Sequence, residues 1–470
     1  MSKEKVELDP EAIAPTQSTN DQVLAEKPIA HDAVFGEITE GGPNYRNVGW
    51  LGTAALMMKT QIGLGVLSLP EVFSSVGLVP GIILILVIAG ITTWSDWMVG
   101  VFKRRHPHVY GVDDAGRMMF GRIGYEIFGA CFCLLFTFIC GSGILSISIS
   151  LNALSSHAIC TAIFMVIAAI IAFIFASIET LGRISWLAWV GSASIIVSIF
   201  VVTIGVGVQG HPPVTAATDG KVVESDYKIV GEPSFASAIS SVSTIIFAYC
   251  GTPAFLNIAS EMRDPRDFTK SLFVCQSIVT IVYIVVGTVV YYYCGSHVAS
   301  PALGSAGPVV KKVAYGIALP GLIVSAVIFV HLPAKHIFVR ILRNSRHLSS
   351  HTTIHWVTWL GCTFTVALVA YIIASGIPVF SSLISLVGAL FGTFLTFQAI
   401  GCMALYDDSK VSKTERTSKW KASVGWGVFV VVIGTFLTVA GTYGSIVDII
   451  DSYNQSGGSA AWTCADNSSS

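Results

Sequence analysis

The sequence predicts an all-α integral membrane protein of eleven transmembrane helices, and three observations predict it. Only 12% of the 470 residues are charged and 53% are apolar, whereas about a quarter of a soluble domain is charged. Long windows hold no Asp, Glu, Lys or Arg. Residues 72–95, 184–218, 233–260, 271–310, 313–334 and 422–447 fit one span each, and 127–178 and 347–406 fit two, since a membrane helix takes about 20 mostly apolar residues. The runs do not alternate polar and apolar residues as barrel strands would, so helices that satisfy their own backbone are the structure able to cross lipid.

Taken in order, the spans are 51–75, 78–102, 126–153, 158–178, 186–208, 235–261, 271–294, 313–342, 355–375, 379–406 and 422–444. The first carries Lys59 and Glu71 inside an otherwise apolar stretch. The third and fourth are hinged near Asn152–His157, and the ninth and tenth at Ser375-Gly376-Ile377-Pro378. Residues 1–45 are polar and mixed in charge and are expected to be a disordered cytoplasmic tail. Residues 46–445 are expected to form the membrane-spanning domain and 446–470 an extracytoplasmic tail. The glycine-broken, amphipathic segment 110–125 is expected to lie along the inner surface.

Lys and Arg orient the bundle. With the N-terminus cytoplasmic, inner segments hold 22 of them and outer segments 4, so the N-terminus is inside and the C-terminus outside. The N-x-S/T sequons at Asn454 and Asn467 fall in the outer tail and are candidate glycosylation sites. A net charge of −1 offers no basic field for nucleic acid. No Walker-type loop, C-x-x-C pair or H-E-x-x-H motif occurs, and no stretch is long enough for a soluble domain of about 100 residues. The chain is therefore expected to be neither an ATP-driven pump nor an enzyme, with no cofactor and no metal. Cys160, Cys294 and Cys464 lie near the outer face, and one disulfide among them is open.

Two spans are interrupted. The first reads Lys59-Thr60-Gln61-Ile62-Gly63-Leu64-Gly65-Val66-Leu67-Ser68-Leu69-Pro70, the sixth Phe247-Ala248-Tyr249-Cys250-Gly251-Thr252-Pro253. Closely placed glycines weaken a helix and proline cannot continue its ladder. Unpaired backbone at membrane depth is tolerated where it lines a cavity, and matching breaks in two halves point to a transporter site near the midplane. Breaks in spans one and six imply a repeat of five helices, the second copy inverted, with span eleven added. Amides at Gly63 to Val66 would face a carboxylate at a half-helix N-terminus. Carbonyls of Phe247, Ala248 and Tyr249 would accept from an ammonium. A site offering both suits an α-amino acid, and the scarcity of charge around it suits a neutral one.

These residues resemble the amino acid/auxin permease family of the amino acid–polyamine–organocation group, which has the LeuT fold, and within it fungal neutral amino acid permeases. Lys59 to Pro70, Tyr110 to Gly116 with Phe120 to Gly124, Ile246 to Tyr249, and Glu261 to Pro265 carry the likeness. The resemblance implies secondary active transport of amino acids by alternating access. By position, Ile62, Gly63, Leu64, Gly65 and Val66 would contact substrate from helix 1, and Phe247, Ala248, Tyr249 and Cys250 from helix 6. Helices 3 and 8 would complete the pocket, with Ser325 one contact. Val66 replaces an asparagine that helps bind sodium in some relatives, and Lys59 puts an ammonium where a second sodium would sit. A hard cation needs about six oxygen ligands, so a proton is the expected coupling ion. Lys59 is then a stand-in for sodium or a titrating group.

Lys59, Asp96, Glu261 and His331 are the coupling or gating candidates, because ionisable residues in a span are costly. Lys59 either couples or gates transport or makes a structural pairing, with Asp96, Glu261 or a carbonyl as partner. Asp96 faces the bundle or sits near the interface. Glu261 gates the inner mouth or anchors a loop. His331 relays protons or packs. The alternative cargoes on this fold are a cationic amino acid, a polyamine or a nucleobase, and the alternative role is an amino-acid sensor. The plasma membrane is favoured over the vacuole.

Overall fold

A computed structural model describes residues 30–32, 36–38, 48–178, 181–212, 224–342, 345, 347, 352–455, 462 and 464–468. The chain divides into two units, 1–45 and 46–470. In the first, strands β1 (Ala30–Asp32) and β2 (Gly36–Ile38) pair antiparallel. The disorder expected over the rest of 1–45 lies outside the described residues.

The second unit is helical. In order come α1 (Trp50–Gln61), α2 (Leu69–Val76), α3 (Leu78–Arg105), α4 (Val112–Ser155), α5 (Thr161–Ala176), α6 (Leu181–Gln209), α7 (Phe235–Ala248) and α8 (Thr252–Ser260). These are followed by α9 (Phe268–Cys294), α10 (Pro308–Leu342), α11 (Thr353–Gly376), α12 (Phe380–Val387), α13 (Ala399–Ser409) and α14 (Ser418–Gln455). Local chemistry sets several starts. Pro70 and Pro253 occupy the first turns of α2 and α8, where a missing N–H costs nothing. Ser234 and Thr352 cap α7 and α11, accepting from the amides of Ser237 and His355. Two π-helical turns, Gly388–Gly392 and Phe394–Gln398, link α12 to α13.

Among the described residues, nine helices are long and apolar enough to cross a membrane, joined by two shorter apolar ones, Gly65–Val76 and Thr161–Ala176. The expected total of eleven depends on counting those two. Within α4 the backbone breaks direction at Gly121 with φ 65° and ψ −145°, a conformation open to glycine, so Val112–Phe120 is a short helix set off from the span that follows, and Phe120 to Ile123 are exposed.

The outward faces carry large apolar side chains, such as Ile83 (54% exposed), Val357 (66%) and Val439 (69%). Water does not tolerate so wide an apolar belt, and lipid matches it. Polar contacts gather at the two ends. At the Lys/Arg-rich rim, Asp407 accepts from Arg105 at 2.9 Å and meets His106 at 2.8 Å, Arg340 pairs with Glu126, and Val48 bridges to Met262. At the other rim, Asp226 accepts from the Ser296 amide and hydroxyl at 2.7 and 2.6 Å, and Lys312 donates to Ser156 at 2.8 Å. There Cys160 and Cys464 form a disulfide, whereas Cys294 keeps a thiol against the Ser305 carbonyl.

Candidate functional site at the paired helix breaks

The α1 ladder ends at Gln61, and Ile62 turns to an extended ψ of 96°. A 3-10 turn, Gly65–Ser68, then leads into α2. The amides of Gly63, Leu64, Gly65 and Val66 have no acceptor among the described residues. Four successive free donors at the head of a half-helix form an anion cradle. In the second break, α7 stops at Ala248, Tyr249–Gly251 form a turn, and α8 resumes at Thr252.

Gly65 lets the two breaks touch. A Cβ on it would stand 2.5 Å from Ala248 Cα and 2.9 Å from Ala248 Cβ, inside any real contact distance. The Tyr283 hydroxyl of α9 spans both breaks, lying 2.9 Å from the Gln61 carbonyl and 2.7 Å from that of Ala248. It shares its single proton between them.

The carbonyls expected to be free for an ammonium are already engaged. Phe247 O accepts from Cys250 N at 3.0 Å, Ala248 O from Tyr283, and Tyr249 O from Gly251 N at 2.8 Å. The turn closes on itself more tightly than a plain helix end would. Each oxygen keeps a second lone pair for an incoming donor.

A cavity of about 20 Å³, room for one or two waters, sits between the breaks. Of the residues singled out in the sequence, Lys59, Gly63, Leu64, Gly65, Phe247, Cys250 and Ser325 line it. Thr60, Gln61, Ile139 of α4 and Phe329 of α10 also line it and were not foreseen. Ile62, Val66, Ala248 and Tyr249 are buried elsewhere in the core. Tyr249 spends its hydroxyl on Thr280 at 2.9 Å. The wall is mainly apolar and holds no carboxylate. Its one cation, Lys59, donates to Ser325 Oγ at 3.0 Å, and Ser325 donates on to Gly321 O at 2.8 Å. No ion pair joins Lys59 to Asp96 or Glu261 among the described residues. Neither acid is its partner, because Lys59 turns to Ser325 of α10.

The other candidates take separate places. His331 is fully buried, with Nδ1 3.4 Å from Ala176 O and its ring edge-on to Trp359 at 5.1 Å, so it sits against α5 and α11 and not on the cavity wall. The Glu261 carbonyl accepts from Val48 N at 3.3 Å and its carboxylate lies near Lys335, at the Lys/Arg-rich rim. Asp96 is wholly buried, faces the bundle and is bonded to Gln276. Asn454 is exposed near the end of α14, whereas Asn467 Oδ1 accepts from Asn152 Nδ2 at 2.7 Å.

A wider vestibule of about 290 Å³ opens towards the opposite rim, lined by serines such as Ser68 and Ser382 with Thr244, Glu71, Asp448 and Asp451. Ser68 and Thr244 stand three residues from Gly65 and Phe247 of the cavity wall.

Comparison with known proteins gives a consistent result. The family model described as transmembrane amino acid transporter protein matches residues 46–447. A "Transmembrane transporter" of Gibberella moniliformis is 33% identical over 96% of this chain and 97% of its own. The "N amino acid transport system protein" of Neurospora crassa is 31% identical over 97% of each. Among solved structures, Mhp1, a nucleobase-cation-symport-1 family transporter in a closed conformation with bromovinylhydantoin bound, superposes with a TM-score of 0.56. It shares 14% identity and covers 94% of this chain and 98% of that one. At that identity the likeness speaks for the fold.

Proposed function

From the premise that this chain belongs to the transmembrane amino acid transporter family, a multi-pass membrane transporter of LeuT-type fold and not an enzyme, we propose that it carries neutral amino acids in symport with protons by alternating access. The observation that carries this reading is the run of four free amides, Gly63 to Val66, of which Gly63, Leu64 and Gly65 line a small, mainly apolar cavity without a carboxylate. The amides take the substrate carboxylate. The second lone pair of the Phe247 carbonyl takes its ammonium. Leu64, Ile139, Phe247 and Phe329 take an uncharged side chain. A cationic cargo would meet Lys59 and no acid. The printed name of the Neurospora relative supports an amino acid as cargo.

The cavity is too small for an amino acid as it stands, so substrate entry separates the breaks. In the orientation that the 22-to-4 split of Lys and Arg favours, the vestibule faces outward. The resting arrangement then has its outer path open above a collapsed site. Alternating access closes that vestibule and parts the Val48–Met262 bridge at the inner rim. Lys59 occupies the cavity wall with its ammonium, and such a charge repels a hard cation that needs several oxygens. A proton is therefore the coupling ion, with the plasma membrane as the favoured location.

The test is uptake of radiolabelled neutral amino acids into proteoliposomes under separate pH and sodium gradients. Acid outside is expected to drive accumulation at least several-fold above equilibrium, and an inward sodium gradient is expected to add nothing. Accumulation that follows sodium and ignores pH overturns the coupling assignment.

A further inference from the structure

A second buried polar cluster lies where α3, α8 and α9 meet. Asp96 of α3 and Thr252 of α8 are 0% exposed, Gln276 of α9 is 4% and Gln61 of α1 is 2% exposed. Gln276 Nε2 donates to Asp96 Oδ2 at 2.5 Å, and the Thr252 hydroxyl lies beside the same carboxyl. The thiols of Cys250 and Cys275 face it, and Cys275 Sγ reaches Gln61 Oε1 at 3.8 Å. No lysine, arginine or histidine pairs with Asp96 among the described residues. On the elements packed against α3, Asp408 accepts from Ser423 and Arg266 is exposed on the turn before α9. Glu71 lines the vestibule, Lys270 pairs with Asp267, and Asp407 is held by Arg105 and His106.

A carboxylate with no counter-charge in a dry interior costs several kcal/mol, about 2.5–3.5 even on lenient insertion scales. The hydrogen bonds also fail to balance. Asp96 Oδ1 and Gln276 Oε1 are buried acceptors without a partner, and Thr252 Oγ1 and Gln61 Nε2 are buried donors without one. One proton on Asp96 removes the uncompensated charge and gives Oδ1 a donor of its own. The cluster is joined to the substrate site through short links. Thr252 is the first residue of α8, Gln61 is the last of α1, and Cys250 and Gln61 line the cavity.

We propose that Asp96 takes up and releases the coupled proton, and acts on the substrate site as a positioning residue through Gln276, Thr252 and the two helix breaks. This rests on the proton-symport reading. A proton from the vestibule side neutralises Asp96 and lets the breaks close on the substrate. Release on the other side returns the bare carboxylate, which draws water in and opens that side. One proton enters and one leaves, no covalent bond changes, and a zwitterionic substrate moves with a net charge of one.

The test uses the full chain in proteoliposomes with the amino acid that the wild type transports. Asp96→Asn keeps the shape and fixes the neutral state. Its accumulation under a pH gradient is expected to fall at least tenfold, to the gradient-free level, while counterflow exchange remains measurable. Asp96→Glu is expected to restore part of the accumulation. Asp96→Asn that accumulates under a pH gradient as the wild type does overturns the proposal. A wild type that exchanges substrate but ignores pH refutes proton symport itself, a different result in a different protein. If Asp96→Asn does not assemble, Gln276→Leu decides. Losing the donor on Oδ2 disfavours the charged form, so the pH midpoint of gradient-driven uptake should move to more alkaline values. An unmoved midpoint overturns the proposal.

Discussion

Gly65→Ala is expected to lower amino acid uptake at least about tenfold while the protein still reaches the membrane. The added methyl would sit 2.5 Å from Ala248 Cα, which is backbone and cannot rotate away. Overpacking of this kind costs about 1–3 kcal/mol, and about 1.4 kcal/mol is a factor of ten. The strain falls on the two turns whose approach builds the site, so it is felt in binding and closure before it is felt in folding. Gly90→Ala is the control. It lies exposed on α3 with nothing within 4 Å of a built Cβ, and alanine is the better helix former there, so uptake should be unchanged. Radiolabelled uptake normalised to membrane protein checks both. Normal uptake by Gly65→Ala would mean that the transporting states do not hold the breaks together.

Lys59→Met and Ser325→Ala are expected to separate stability from transport. The Lys59 ammonium bonds only Ser325 among the described residues. Ser325→Ala leaves a buried cation without its acceptor and should cost about 1–3 kcal/mol of stability. Lys59→Met removes the charge with its desolvation penalty, so stability should hold or rise. Transport should not follow that order. Either substitution removes the tie that holds α1 to α10, so net uptake and exchange should fall at least about tenfold in both, while only Ser325→Ala melts lower. Detergent thermal melts and proteoliposome exchange give the two measurements. A destabilised Lys59→Met with intact transport would reverse the assignment. Loss of exchange also distinguishes Lys59→Met from Asp96→Asn, which is expected to keep exchange and lose accumulation.

Much of the fold is legible because lipid imposes a simple rule: long uncharged runs must be helices, and glycine beside proline at depth must be covered by protein. The breaks at Gly63–Gly65 and Tyr249–Gly251 follow from the glycines and prolines beside them. The site is legible only where that chemistry is local. Ile139 and Phe329 line the cavity but sit in uniformly apolar runs, with nothing to distinguish them from lipid-facing neighbours. The occupied carbonyls depend on Tyr283, which is 35 residues from Ala248. The Asp96–Gln276 bond joins residues 180 apart, so no spacing announces it. His331 shows the converse. Its residue type suggests proton relay, and only its packing against Trp359 and Ala176 places it away from the cavity. The Cys160–Cys464 pairing was one of three combinations open to the sequence, and the return of the C-terminal tail to α5 selects it.

The measurement closest to the centre of this account is competition for binding by a transported amino acid and two analogues with the same side chain, one lacking the carboxylate and one lacking the ammonium. A hydrogen bond to a charged group contributes about 1.5–3 kcal/mol, and two such bonds are lost with either group. Each analogue should therefore compete at least about a hundredfold more weakly than the parent. An amine without its carboxylate that binds as well as the parent would show that the amides of Gly63 to Val66 do not hold the substrate.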